Sequence, residues 1–294
     1  IYMRNQLVLD LTNPKVQDFV FGVVDNLFTK NPDLAYIKWD CNSVIFNAYS
    51  GYEKNQSNFY TDYVLSLYKV LDRLRAKYPK VPMMLCSGGG GRVDYGALQY
   101  FTEYWPSDDT EPIERVFIQW ENSYFYPAIT SSNHVTDWCK EPIKFRVDVA
   151  MMGKLGFDIV IGKLKPDELA FCQGAVNTYK QFSEAIWHGD QYHLQDPREN
   201  DVASLMYVDQ AKGSAIMFNY LVNWRVMTGS TAPIRMKGLD PNKLYAISEL
   251  NVFPGTRPGI KEATYTGKFL MTVGINPNVH QGRTSVLIGV KAVN

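Results

Sequence analysis

The chain has 294 residues, 46% of them hydrophobic and 20% charged, so it can bury a sizeable core and does not have the composition of a disordered chain. Thirty basic side chains balance thirty acidic ones. With no net field to recruit nucleic acid or an anionic membrane, a small and roughly neutral partner is expected.

In chain order, the apolar run Leu7–Leu11 (LVLDL) reads as a strand. Residues 13–29 follow a helical pattern with Pro14 well placed in the first turn. YIKWD (36–40) reads as a buried strand that ends on an acid. The segment 58–78 carries Tyr60, Val64, Leu67, Tyr68, Leu71 and Leu74 near a 3.6-residue period and predicts a second helix. VPMMLCS (81–87) is another buried-strand candidate, and FTEYWPSDD (101–109) is a shorter apolar segment closing on acids. The aromatic stretch 120–138 reads as irregular. Residues 143–155 read as a helix, FDIVIG (157–162) as a strand, and 166–188 as a helix started by Pro166, Asp167 and Glu168. Short apolar strands alternating with helices predict a parallel sheet with helical crossovers.

Beyond about Gly189 the texture changes. The runs 214–222, 244–250, 267–275 and 284–293 are strand-like and bounded by turn residues, which predicts an antiparallel β domain. Two domains are therefore expected, 1–189 and 190–294.

The chemistry concentrates where apolar runs end. In α/β barrels, catalytic groups sit at the carboxyl ends of strands because the following loops build the active face. Asp40 follows YIKW, Cys86 and Ser87 follow VPMML, and Asp108 and Asp109 follow TEYWPS. Two carboxyl groups flanking a bond are the usual requirement of glycoside hydrolysis, at a separation of about 5–5.5 Å when configuration is retained. Lys38 shares a strand face with Asp40, where a cation would help keep the carboxylate ionised. The competing reading is that these aspartates merely cap helices. CSGGGGR (86–92) allows three readings: a phosphate loop, a plain strand-to-helix turn, or a close backbone approach to a neutral polar ligand. His134, His188, His193 and His280 are scattered, and Cys41, Cys86, Cys139 and Cys172 show no CxxC spacing. Neither a metal site nor a disulfide framework is expected, and a reducing compartment is favoured. No apolar run approaches the ~20 residues that span a bilayer, so no membrane partner is expected.

RNQLVLD (4–10), KWDCN (38–42), CSGGGGRVD (86–94) and WPSDDTEPIER (105–115) resemble, in order and approximate spacing, the α-galactosidases of glycoside hydrolase family 36. The resemblance implies a (β/α)8 TIM barrel, only its later strands present in this chain, followed by a C-terminal antiparallel β-sandwich. It implies Asp40 as nucleophile, Asp108 as general acid/base with Asp109 as the competing choice, and Arg4, Lys38, Cys86 and Gly89 as substrate-binding residues. Glu111 stands where the family more often has a second aspartate. A retaining, exo-acting α-galactosidase without cofactor is the implied activity. The implied substrates are melibiose- or raffinose-type oligosaccharides, and the implied assembly is a homotetramer. Transglycosylation and non-catalytic carbohydrate binding are the alternatives. Because family members are longer, the chain is expected to be the C-terminal part of a larger enzyme, with cytoplasmic placement favoured over periplasmic or secreted.

Overall fold

The structure is a computed structural model that describes residues 7–42, 45–223 and 232–293. It divides into two compact units, Ile1–Asp108 and Asp109–Asn294.

In the first unit, helix α1 (Pro14–Lys30) starts where Asn13 accepts a hydrogen bond from Lys15 N, with Pro14 at the first helical position. It buries Val24 and Phe28, and the Phe28 ring lies 4.5 Å from that of Tyr78. Strand β1 (Ile37–Asp40) leads through a long loop to α2 (Phe59–Lys77), which buries Tyr63, Leu67, Val70, Leu71 and Leu74 along one face. Strand β2 (Met83–Cys86) is buried at every position because it lies between β1 and the two-residue β3 (Glu103–Tyr104). All three run parallel, with Asp40 opposite Cys86 and Leu85 opposite Tyr104. Leu7–Asp10, expected as a strand, has no regular structure. No described strand pairs with it, and the Asp10 carboxylate instead accepts from Thr12 N at 3.1 Å and Ser50 Oγ at 2.5 Å.

In the second unit, α3 (Pro112–Asn122) is followed by β4 (Ser132–Thr136), α4 (Ile143–Ala150), β5 (Lys154–Asp158) and α5 (Pro166–His188). Strands β4 and β5 pair in parallel. The stretch 120–138, read as irregular, thus holds the end of a helix and a strand. In SNHVT the apolar signal is a single Val135, too little for a periodicity argument. Strand β5 lies three residues earlier than expected, and α4 stops at Ala150 rather than 155. Helix α5 begins and ends as the sequence indicates, and Phe171, Ala175, Tyr179, Phe182 and Ile186 form its buried stripe. Each large apolar side chain buried there is worth about 1.5–3 kcal/mol.

Among the described residues, six antiparallel strands follow: β6 (Asp190–Gln195), β7 (Val202–Val208), β8 (Ser214–Leu221), β9 (Leu244–Leu250), β10 (Ala263–Thr266) and β11 (Ser285–Val293), in the order β10-β9-β11-β8-β7-β6. Both faces are covered. Ala203, Leu205, Tyr207, Ile216, Phe218 and Tyr220 pack with α4 and α5, while Val202, Met206, Val208, Met217, Ile288 and Val290 pack with Ile234, Met236, Leu270 and Val279. That is why these strands read as continuous apolar runs rather than alternating ones. Residues 267–275 depart from expectation. Gly267–Thr272 is helix α6, capped where Thr266 Oγ1 accepts from Phe269 N, with Leu270 fully buried. A local cap and one buried leucine outweigh the strand-like composition.

Candidate active site

The first unit sets the site at the carboxyl end of its sheet. On β1, alternation exposes Lys38 and Asp40 on one face while Ile37 and Trp39 are half-buried. Cys86, the register partner of Asp40, closes the adjacent strand and is 1% exposed. Burial pushes its thiol pKa up; the Gly89 N–H and the Lys38 ammonium work against that, and the charges of Asp40 and Asp108 add to it. Lys38, Asp40 and Asp108 therefore all lie within electrostatic reach of the same sulfur.

Asp108 comes four residues after β3 and lies against the glycine loop that follows β2. The continuation of β3 stays paired with β2 and its loop through Trp105 N–H to Leu85 O at 2.8 Å and Gly90 N–H to Pro106 O at 3.1 Å. Gly89, at φ +89°, packs so closely that a Cβ there would lie 2.7 Å from Ser107 Cα and 3.2 Å from Asp108 N. Only glycine fits this crossing. Neighbouring strands are about 4.8 Å apart, which puts the β1 and β3 backbones roughly 10 Å from each other with room for two carboxylates to lean in over β2.

Each acid has one oxygen held by a side-chain N–H. Asn42 Nδ2 donates to Asp40 Oδ2 at 3.0 Å, and Trp105 Nε1 donates to Asp108 Oδ1 at 3.1 Å. The same Trp105 ring receives the Lys38 ammonium at 5.4 Å from its centroid. Asp109, the rival acid, has its Oδ1 engaged by Glu111 N–H at 2.9 Å in a turn. Glu111 caps α3, accepting from Ile113 N at 2.8 Å and Glu114 N at 3.2 Å.

The glycine loop is occupied within the protein. Ser87 N–H donates to Gly89 O, Gly88 N–H to Asn42 Oδ1 at 2.6 Å and Gly90 N–H to Pro106 O. A phosphate cradle needs such N–H groups free and convergent, so that reading of CSGGGGR falls. The close-approach reading remains compatible with the geometry, and the loop is also a structural connector. A cleft of about 360 Å³ opens at the outer edge of β1, walled in part by Leu7, Leu9, Asp40, Asn42, Tyr63 and Arg92. Arg92 fixes the end of the strand there through Nε to Cys41 O at 3.3 Å and to Ser87 Oγ at 3.2 Å.

The structure thus brings together Lys38, Asp40, Cys86, Gly89 and Asp108, whereas Arg4 lies outside the described residues. Two contributors, Asn42 and Trp105, were not among the expected site residues although both sit inside the quoted motifs. Among the described residues there is no cluster of three or more His, Cys, Asp or Glu side chains able to hold a metal, and no helix is long and apolar enough to cross a membrane.

The melibiase family profile matches residues 1–189. The chain belongs to that family. Residues 202–289 match the glycosyl hydrolase family 36 C-terminal domain, so the fold is a partial (β/α)8 barrel followed by a C-terminal antiparallel β domain. Among curated relatives, the probable α-galactosidase C of Aspergillus terreus is 33% identical over 279 residues, 92% of this chain and 34% of its own length. The chain spans about a third of the length of the curated relatives it matches. The crystal structure of the family 36 α-galactosidase AgaB from Geobacillus stearothermophilus superposes with a TM-score of 0.90 at 30% identity, covering 100% of this chain and 40% of that one. A variant of AgaA from the same organism, solved in complex with raffinose, gives a TM-score of 0.90 at 29% identity with the same coverage.

Proposed function

We propose that the protein is a retaining, exo-acting α-galactosidase that removes terminal α-linked galactose from melibiose- or raffinose-type oligosaccharides. The observation that carries this reading is the placement of Asp40 opposite Cys86 at the end of β1 and of Asp108 against Gly89 in the loop that follows β2. Asp40 forms a bond to the anomeric carbon as the bond to the leaving oxygen breaks and Asp108 delivers its proton to that oxygen. Water then attacks the galactosyl ester, giving its proton to Asp108 and releasing Asp40. Lys38 sits beside Asp40 and is placed to bind a galactose hydroxyl. Arg4 has the same role, and Cys86 with the Gly89 backbone lines the side near the 2-hydroxyl. The engagement of Asp109 in a turn favours Asp108 as the acid/base.

In this reading, residues 1–189 are the catalytic barrel portion and residues 190–294 the β domain, and the protein assembles as a homotetramer. The likeness to a relative solved with raffinose supports the substrate class. The test is hydrolysis of p-nitrophenyl α-galactoside by the full-length protein, alongside Asp40→Ala and Asp108→Ala. Azide should restore turnover to Asp40→Ala as β-galactosyl azide; unchanged activity in Asp40→Ala would remove that residue from the mechanism.

A further inference from the structure

Asn42 makes two hydrogen bonds that have opposite demands. Its Oδ1 accepts the Gly88 N–H at 2.6 Å, and its Nδ2 donates to Asp40 Oδ2 at 3.0 Å. The amide cannot be turned over, because the reverse orientation would set its NH₂ against the Gly88 N–H and its oxygen against a carboxylate. Gly88 is itself held in the glycine loop, where Ser87 N–H donates to Gly89 O and Gly90 N–H to Pro106 O. Gly89, the next residue, is the one packed against the backbone of Ser107 and Asp108. A continuous line of contacts therefore runs from Asp40 through Asn42, Gly88 and Gly89 to Asp108.

We propose that Asn42 is a positioning residue that holds Asp40 Oδ2 and leaves Oδ1 as the attacking oxygen, tying the nucleophile to the loop against which the acid/base packs. The inference rests on the assignment of Asp40 as nucleophile. Fixing one oxygen of a carboxylate restricts its rotation about χ2 and presents the other toward a reacting carbon, the kind of orientation whose loss costs rate more than affinity. Asn42 touches neither atom of the bond that breaks, so its effect is exerted through Asp40.

Two substitutions separate this role from simple tethering of the loop. Asn42→Ala removes both bonds. Asn42→Asp keeps an acceptor for the Gly88 N–H but cannot donate to Asp40 when ionised, and it sets a second negative charge beside it. The measurement is kcat and KM for p-nitrophenyl α-galactoside in the full-length protein, with a urea midpoint for each variant. Positioning predicts that kcat falls about 10- to 100-fold in Asn42→Ala and at least as far in Asn42→Asp, with KM little changed. A merely structural tether predicts kcat of Asn42→Asp close to wild type, and that result, with azide rescue of Asp40→Ala intact, overturns the proposal alone. Failure of the azide rescue overturns the assignment of the nucleophile, and this inference with it.

Discussion

Gly89→Ala is the perturbation that most directly probes how the two acids are spaced. The added Cβ would lie 2.7 Å from Ser107 Cα, whereas ordinary contacts begin near 3.4 Å, so the Ser107–Asp108 backbone has to retreat by about 0.7 Å. Both neighbours are backbone atoms, so no side-chain rotation can relieve the overlap. The backbone of Gly89 at φ +89° adds a conformational cost of about 1–2 kcal/mol for any residue with a Cβ. Gly88→Ala supplies the control. Its φ is +55°, which carries a similar cost, but a Cβ there meets nothing within 4 Å and the N–H that serves Asn42 is kept. A displacement approaching 1 Å of a reacting group costs on the order of 10²-fold in rate. Gly89→Ala is therefore expected to lose about 10- to 100-fold in kcat, and Gly88→Ala only a few-fold, at comparable losses of stability. Steady-state kinetics on p-nitrophenyl α-galactoside well below the unfolding transition, with urea melts for both variants, provide the comparison. If the two variants retain kcat within twofold of each other, the glycine loop does not set the position of Asp108.

Asp148→Ala should destabilise the second unit by about 3–5 kcal/mol in urea unfolding. Asp148 is fully buried, pairs with Lys144 at 2.5 Å and accepts from Ser285 Oγ at 2.6 Å and Asn251 Nδ2 at 2.8 Å, and removing it takes this counter-ion from the Lys144 ammonium and an acceptor from the other two donors. Glu111→Ala removes the cap of α3 and should cost about 1 kcal/mol in the same assay, whereas Glu111→Asp keeps an N-cap acceptor and should leave both stability and kcat near wild type. His193 is packed between Trp120 and Tyr124, with ring centroids 4.4 and 4.3 Å away, and its Nε2 lies 2.8 Å from Ser123 Oγ. Burial pulls its pKa below the ordinary value and Lys237 adds to that, while the Trp120 backbone and Asp196 oppose it. The unfolded chain then takes up a proton that the folded one refuses, so stability falls as pH drops through about 6.5. His193→Gln should flatten that part of the stability–pH curve, and an unchanged slope would exclude His193 as its source.

What could be read from sequence depended on whether the signal was local. Helix α5 declared both ends through Pro166, the acids behind it and an apolar stripe at helical spacing, and β1 and β2 declared themselves as apolar runs closing on polar residues. The failures share a cause. Strand β4 (SNHVT) has little apolar signal of its own and takes its form from pairing with β5, while α6 was hidden in a strand-like composition that Thr266 and the burial of Leu270 overrule. The two acids were legible because each follows a short apolar run, where an aspartate is unusual, although β1 is only half-buried at Ile37 and Trp39 and Asp108 lies four residues beyond β3.

Their relationship was not legible, because it is carried by contacts between distant residues. Asn42 and Gly88 are 46 positions apart, and Gly89, in the loop after β2, meets Ser107, in the loop after β3. The four glycines gave three readings in sequence because a glycine run states only that close approach is allowed, not what approaches. In the fold, Gly88 gives its N–H to the residue that holds Asp40, and Gly89 gives up its Cβ to the segment that carries Asp108. A loop in contact with Asn42 on one side and with the Ser107–Asp108 backbone on the other bears on the separation of the two acids, and in glycoside hydrolysis that separation distinguishes double displacement, in which a carboxylate reaches carbon, from single displacement, which leaves room for water. The glycines are therefore better understood as a spacer between Asp40 and Asp108 than as a ligand cradle, which is why substitutions at Asn42 and Gly89, on opposite sides of that spacer, should both lower kcat.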